Sequence, residues 1–444
     1  MQNELFETAP VHKAYFKMAL PVVFGMVVSL VYNMVDTYFI ARTGNTDLIA
    51  GVSLGAPVFT LMIALGDIFG LGGSSVISRL FGQQKNDDGK RLSVFCFYAA
   101  FLCGLAVTAV MLLFRRPILG LLGADTDTFT YASQYYTFIV LGAPFLIISY
   151  TPANLLRTEG FATASMVGTM LGAVVNIILD PIFISVLGLG AAGAAIATVI
   201  GNICTDIFFV WFLLAKSERL SVNPRGFHIT PAEIGQIMAI GFPASITNLM
   251  QGIGIALTNR FLLPYGNDKV AAMGIVMKVN LIAVLVLVGF AFGAQPLTGY
   301  NYGAKNHGRL KKILRFCYGF ECGTAVVLAA ALSLAAPFLL GLFTPDAGLV
   351  ATGVPMLRMQ QLGMLFVAVV LVTTCTFQSS GKAVGAFLLS FARQGALFAL
   401  VICITSKLSG YTGVLLAQPI SDMLTAALAI ALFWKGIYQE IGSG

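Results

Sequence analysis

Four oxygen-bearing residues set in apolar surroundings carry the chemistry of this chain: Asp36, Asn176, Asp180 and Thr198. Asn176 and Asp180 stand four apart in Asn176-Ile-Ile-Leu-Asp180-Pro181 and so share one face of a helix. Pro181 frees the carbonyl of Ile177, which predicts a local kink and one further oxygen. Thr198 follows the small-residue run AAGAAIA, which lets helices approach closely. Two carboxylates, an amide and a hydroxyl are hard oxygen donors, a set that suits a proton or Na⁺. If Asp36 and Asp180 converge, the two acids titrate as a unit. Spacing alone leaves a second reading open, in which Asn176 and Asp180 only stabilise the kink.

Asp36 lies in residues 18–42, MALPVVFGMVVSLVYNMVDTYFIAR. A stretch of that length crosses the roughly 30 Å hydrocarbon core as a helix. Pro21 sits early in it and displaces the carbonyl of Lys17, so a kink is expected near that end. Tyr32 lies one turn before Asp36 on the same face. A carboxylate at membrane depth is costly and should face a bundle interior or a wet cavity. The other reading places Asp36 near enough to the helix end to reach interfacial water.

The whole composition is that of a polytopic membrane protein. Of 444 residues 58% are hydrophobic and 10% charged, against about 25% charged in soluble domains. Period-2 alternation is absent, which excludes a β-barrel, and the 47 glycines suit close helix packing without water. The net charge of +7 does not point to nucleic acid, because the basic residues fall in short loops. No cleavable signal peptide is expected, since Glu4 and Glu7 precede an apolar run too long for one. The seven cysteines lie in apolar segments without a CxxC and read as small buried residues. HExxH and GxxxxGK[ST] do not occur, so neither zinc-dependent intramembrane hydrolysis nor ATP drive is indicated.

Twelve spans are expected, near 18–41, 49–80, 92–114, 131–155, 163–187, 190–214, 236–262, 270–300, 313–335, 353–378, 384–405 and 412–435. Seventeen of the Lys and Arg residues fall on the N-terminal side and seven opposite, which predicts cytoplasmic termini. The halves repeat at steady offsets of 220 to 222 residues: Pro21 with Pro243, Gly44-Asn45 with Gly266-Asn267, Pro117 with Pro337, Gly160 with Gly381. This predicts an all-α fold of two six-helix lobes, 1–215 and 232–444, joined by a polar linker at 216–231. Parallel repeats of this kind are related by an axis along the membrane normal, with substrate bound between them. The acids are not repeated, for Asp36 answers to Thr258 and Asp180 to Val401, so an ion site is expected in the first lobe.

These features resemble the multidrug and toxic compound extrusion (MATE) family, in particular its bacterial multidrug-efflux branch. The likeness is carried by Leu20-Pro21 with Tyr32 and Asp36, GLGGSSVISRLFG at 70–82, and Asn176-x-x-x-Asp180-Pro181. GFPASITNLMQG at 241–252 and GAQPLTGYNYGA at 293–304 extend it through the second half. The resemblance implies a secondary antiporter of the bacterial inner membrane, monomeric and in contact with lipid. It would export organic cations and hydrophobic drugs against H⁺ or Na⁺, with no enzymatic activity and no cofactor. It assigns the cation site, including any Na⁺, to Asp36, Asn176, Asp180 and Thr198, with Pro21 and Tyr32 in support. Acids that some members carry in the seventh and tenth spans are missing here, where Gln251, Thr258, Gln360 and Gln361 stand instead. A lipid-linked saccharide flippase of the same superfamily is the alternative.

Asp67, Asn248 and Gln251 are candidates to contact substrate, and Asp67 reads equally well as a structural pairing residue. Asp206 and Asp422 read as packing or interfacial residues, and Glu321, Lys278 and Arg393 as buried pairs or snorkelling groups. His12, His228 and His307 lie near loops, which argues against a histidine relay.

Overall fold

A chain with no water to satisfy its backbone must close every N–H and C=O within itself, and helices apolar all round are the result. The computed structural model describes residues 2–225 and 228–442, without the side chains of Gln2, Asn3, Asn248, Leu249 and Gly442. Its membrane-length helices are α1 (Val11–Arg42), α2 (Thr46–Gly82), α3 (Asn86–Leu113), then α4, a bent pair Phe129–Leu141 and Ala143–Thr158. They continue as α5 (Ala162–Val186), α6 (Gly190–Ala215), α7 (Pro231–Tyr265), α8 (Asn267–Gly303) and α9 (His307–Leu334). A second bent pair, Ala347–Gln361 and Met364–Ser379, forms α10. The final apolar run, Ala383–Ile441, is 59 residues long, well over twice the ~20 residues that one span needs. Gly410, at φ 55° and ψ −128°, breaks it into α11 (383–409) and α12 (411–441), which makes twelve among the described residues.

The sequence repeat is also a backbone repeat. Left-handed residues recur 221 or 222 positions apart: Gly44 with Gly266, Gln84 with Lys305, Gly160 with Gly381, Gly188 with Gly410. Each ends a helix where such a conformation stops it. The bends of α4 and α10 recur likewise, at 51° and 47°. Pro21 and Pro243 both lie inside continuous helices, which run through them without a break.

Packing divides the chain inside α1 and α7, not at the polar linker. One unit is Phe24–Ser245; the other joins Asn3–Val23 to Ile246–Gly444. The cuts after Val23 and Ser245 are themselves 222 residues apart. Glycines hold each helix start where it is. A Cβ on Gly289 would meet the Val23 backbone at 2.9 Å, and one on Gly72 would press on Gly241 at 3.1 Å. The linker is docked on the first unit. Glu159, buried at the end of α4, accepts from the backbone of Glu218 (3.0 Å) and Arg219 (3.1 Å), and Arg91 of α3 pairs with Glu233 (2.5 Å). Arg157, near the end of α4, is buried against Asn154 and the Ala153 carbonyl.

Glycines also set the contact of α5 with α6. A Cβ on Gly172 would strike Thr205 and lie 2.7 Å from the Gly201 carbonyl, and one on Gly201 would lie 2.6 Å from the Gly172 carbonyl. Gly172→Val should therefore lower stability by about 1–3 kcal/mol through overpacking. Gly235→Ala, whose Cβ meets nothing within 4 Å, should be neutral by comparison. Thermal unfolding of both variants in detergent checks this, and equal midpoints would refute the packing account.

Candidate functional site

The approach of Gly172 to Gly201 brings the next turn of α5 against the preceding turn of α6, and so Asn176 against Thr198. Asn176, Asp180 and Thr198 are all buried. With its amide nitrogen toward Asp180, Asn176 donates to Asp180 Oδ2 (3.1 Å), and its oxygen accepts from the Thr198 N–H (3.0 Å). With the amide turned over, the nitrogen donates to Thr198 Oγ1 (3.2 Å) and the oxygen faces Asp180. The first setting suits an ionised Asp180, which can only accept. The second needs a proton on the Asp180 carboxyl, which can then donate. Thr198 Oγ1 donates to the Ala194 carbonyl at 3.0 Å and stays satisfied in the second setting. Directly after Asp180 the helix widens into a π-type turn, Pro181–Val186, as the freed carbonyl of a proline allows.

Asp36 and Tyr32 of α1 join this group. Asp36 acts electrostatically on Asp180, and both acids act on Tyr32. Oδ1 of Asp36 and Oδ1 of Asp180 are buried without a hydrogen-bond partner. A cavity of about 120 Å³ is lined by Tyr32, one turn before Asp36, by Asn176, the partner of Asp180, and by Thr198, Ser149 and Thr205. That space accommodates several waters, each finding polar partners on the walls. Tyr135 of α4 was not singled out by sequence, yet its phenol feels Asp36, Tyr32 and Asp180 together. Its only signal was its place in the tyrosine-rich stretch Tyr131, Tyr135, Tyr136. Pro21 lies fifteen residues before Asp36 on α1, in the segment that packs with the second unit.

The remaining candidates separate. Asp67 is partly buried and acts with Tyr32 on the Tyr150 phenol of the first unit. Gln251 is partly buried in the second unit, and the side chain of Asn248 lies outside the described residues. Asp422 is an ion-paired core residue, held by Arg393 Nε (3.0 Å) and Gln418 Nε2 (3.0 Å). Lys278 is exposed, as a snorkelling cation would be. Glu321 is fully buried; Tyr15 donates to Oε1 at 3.5 Å, and among the described residues Oε2 has no hydrogen-bond partner and the carboxylate no cationic one. Asp206 is buried and accepts from Ser149 (2.7 Å), a wall residue of the cavity.

The MatE family matches residues 21–182 and again 243–405, two copies of one pattern. The multidrug export protein MepA of Staphylococcus aureus (strain NCTC 8325 / PS 47) is 32% identical across 97% of this chain and 95% of that protein. MepA of Staphylococcus haemolyticus (strain JCSC1435) is 30% identical, again over 97% of this chain and 95% of its own. Among solved structures, a MATE protein in complex with MaD5 superimposes with a TM-score of 0.92 at 25% identity, covering 99% and 98% of the two chains. A MOP-superfamily transporter from Pyrococcus furiosus, described as having a binding pocket of reverse polarity, does so at 0.91 and 25% identity, with the same coverage.

The hydrogen bonds at Asn176 give a direct test. Asn176→Leu removes the donor to Asp180 and should cost about 1–3 kcal/mol, the usual penalty for stranding a buried polar group. Thr198→Val leaves the Thr198 N–H to bond the amide oxygen and should cost less. The order of their unfolding temperatures checks this, and the reverse order would count against it.

Proposed function

Because this chain belongs to the MatE family, we propose that it is a multidrug-efflux antiporter exporting organic cations and hydrophobic drugs in exchange for H⁺ or Na⁺. Both MepA relatives are named multidrug export proteins, and the chain spans almost all of their length. It resides as a multi-pass monomer in the bacterial plasma membrane, with both termini cytoplasmic. The coupling cation binds in the N-terminal lobe at Asp36, Asn176, Asp180 and Thr198. One observation carries this reading: Asp36 and Asp180 each keep a buried carboxylate oxygen with no hydrogen-bond partner among the described residues, and their neighbours Tyr32 and Asn176 line a polar cavity. A bound proton or Na⁺ supplies the missing charge, and its release restores the repulsion. Antiport follows if the cation and the drug favour different facing states, since a ligand shifts an equilibrium only by its differential affinity. The inward driving force is about 2.3 kcal/mol per charge per 100 mV.

Dye efflux in everted vesicles, driven separately by a pH gradient and by a Na⁺ gradient, identifies the ion. Asp36→Asn should abolish uphill efflux at normal membrane abundance, because the amide keeps the shape but carries no exchangeable proton or charge. Concentrative efflux by that variant would remove Asp36 from the coupling role. Asp180→Asn should behave alike, and the double variant should be little worse than either, as for residues acting as one unit. Two multiplying defects would instead make Asp180 structural.

Neutralising the acids of the second half should leave ion-driven transport intact. Asp422 is neutralised already by Arg393, so Asp422→Asn costs yield rather than coupling. Glu321→Gln should act in the same way. Loss of substrate-driven proton or Na⁺ flux in either, with downhill movement preserved, would reveal a second ion site.

A further inference from the structure

We infer that Asp206, with Ser149, is a second proton station through which H⁺ leaves the Asp36–Asp180 pair toward the cytoplasm. The inference rests on the antiport reading above, with H⁺ as the coupling ion.

The cavity is lined by Asn176, which holds Asp180, and by Thr198, which bonds Asn176; Ser149 lines it too, and its hydroxyl donates to Asp206 Oδ1 at 2.7 Å. Asp206 lies eight residues after Thr198 on α6, roughly 12 Å further along the axis. With cytoplasmic termini, that direction is inward. Tyr32, Tyr150, Asn202 and Thr205 line the same cavity and can bridge a chain of waters.

Asp206 is more than nine-tenths buried, and its Oδ2 has no hydrogen-bond partner. A permanently ionised carboxylate in that setting is costly without a paired cation. None stands there among the described residues: α4 and α5 present no acid or base to it, and Arg157, further along α4, is held on Asn154 and Ala153. A structural role would be met as well by an amide.

Ser149 serves both forms of the acid. Its hydroxyl lies 2.7 Å from Asp206 Oδ1 and 2.7 Å from the Phe145 carbonyl, and it has one proton for the two. When Asp206 is ionised, the hydroxyl donates to it. When Asp206 takes up H⁺, its own O–H donates to Ser149, whose proton turns to Phe145. A metal cation would need more oxygens than this carboxylate and hydroxyl provide, whereas a proton needs only one lone pair. The step is a proton transfer: the Asp36–Asp180 pair loses H⁺, Asp206 gains it, and cytoplasmic water then accepts it.

The test uses the full-length protein in proteoliposomes with ethidium as substrate, following efflux and internal pH together. Asp206→Asn should slow H⁺-driven efflux about tenfold or more, within the range that a positioned proton-transfer group contributes. Ethidium binding should be unchanged, and Asp206→Glu should restore much of the rate. Ser149→Ala should slow proton flux less and enlarge its solvent isotope effect, a change that a packing defect would not produce. If Asp206→Asn fails to fold, Ser149→Ala decides alone. Wild-type proton flux in Asp206→Asn, or in Ser149→Ala where it stands alone, overturns the inference. Transport by the unaltered protein under a Na⁺ gradient only overturns the H⁺ reading itself, and this inference with it.

Discussion

An acid placed at membrane depth must find a counter-charge, a proton or water, because hydrocarbon offers none of them. The rest of this structure is arranged around that constraint. In the second unit Asp422 meets it permanently, with Arg393 at 3.0 Å and Gln418 at 3.0 Å. In the first unit Asp36, Asp180 and Asp206 each keep a buried oxygen without any partner. Among the described residues none of them has an ion-pair partner, and Asn176 and Ser149, which bond Asp180 and Asp206, line a polar cavity. The same residue type therefore has two fates, and only the unpaired one leaves room for an exchanging cation.

Backbone geometry alone does not create that difference. The halves share their left-handed residues, their bends near 50° and the internal prolines of α1 and α7. Where the first half has Asp36, the second has Thr258, whose hydroxyl turns back on its own helix to Gly254 (2.9 Å). Where the first has Asp180, the second has Val401, packed with Phe398 and Ile402 in a closed apolar core. Repetition preserved the frame, and side-chain substitution filled one of its two polar sites with hydrocarbon.

Much of this was legible in the sequence because membrane helices declare themselves by length and apolarity, and repeats by fixed offsets. The Asn176–Asp180 spacing put both groups on one face, and the structure adds Thr198 at hydrogen-bond distance. Other parts were not legible. Tyr135 of α4 shares the electrostatic surroundings of the acids across more than forty residues of sequence, which period and composition do not encode. The packing boundary inside α1 depends on Gly289 and Gly293 meeting Val23 and Ala19, contacts some 270 residues apart in sequence. Asp206 reads as a packing residue until Ser149, from a different helix, is seen against it.

The partners chosen for the acids decide which of them can switch. An arginine such as Arg393 donates only, so it fixes its carboxylate as an anion and resists any change of charge. An amide and a hydroxyl can either donate or accept, and so they serve a carboxylate and a carboxylic acid equally well. Asn176 has usable partners on both sides of its amide, in Asp180 and Thr198, and Ser149 has two acceptors for one proton. Moving a proton through such a site strands no hydrogen bond, which keeps the two charge states close in energy. A cation carrier needs that near-balance, for an ion held too firmly in one state cannot be released in the other.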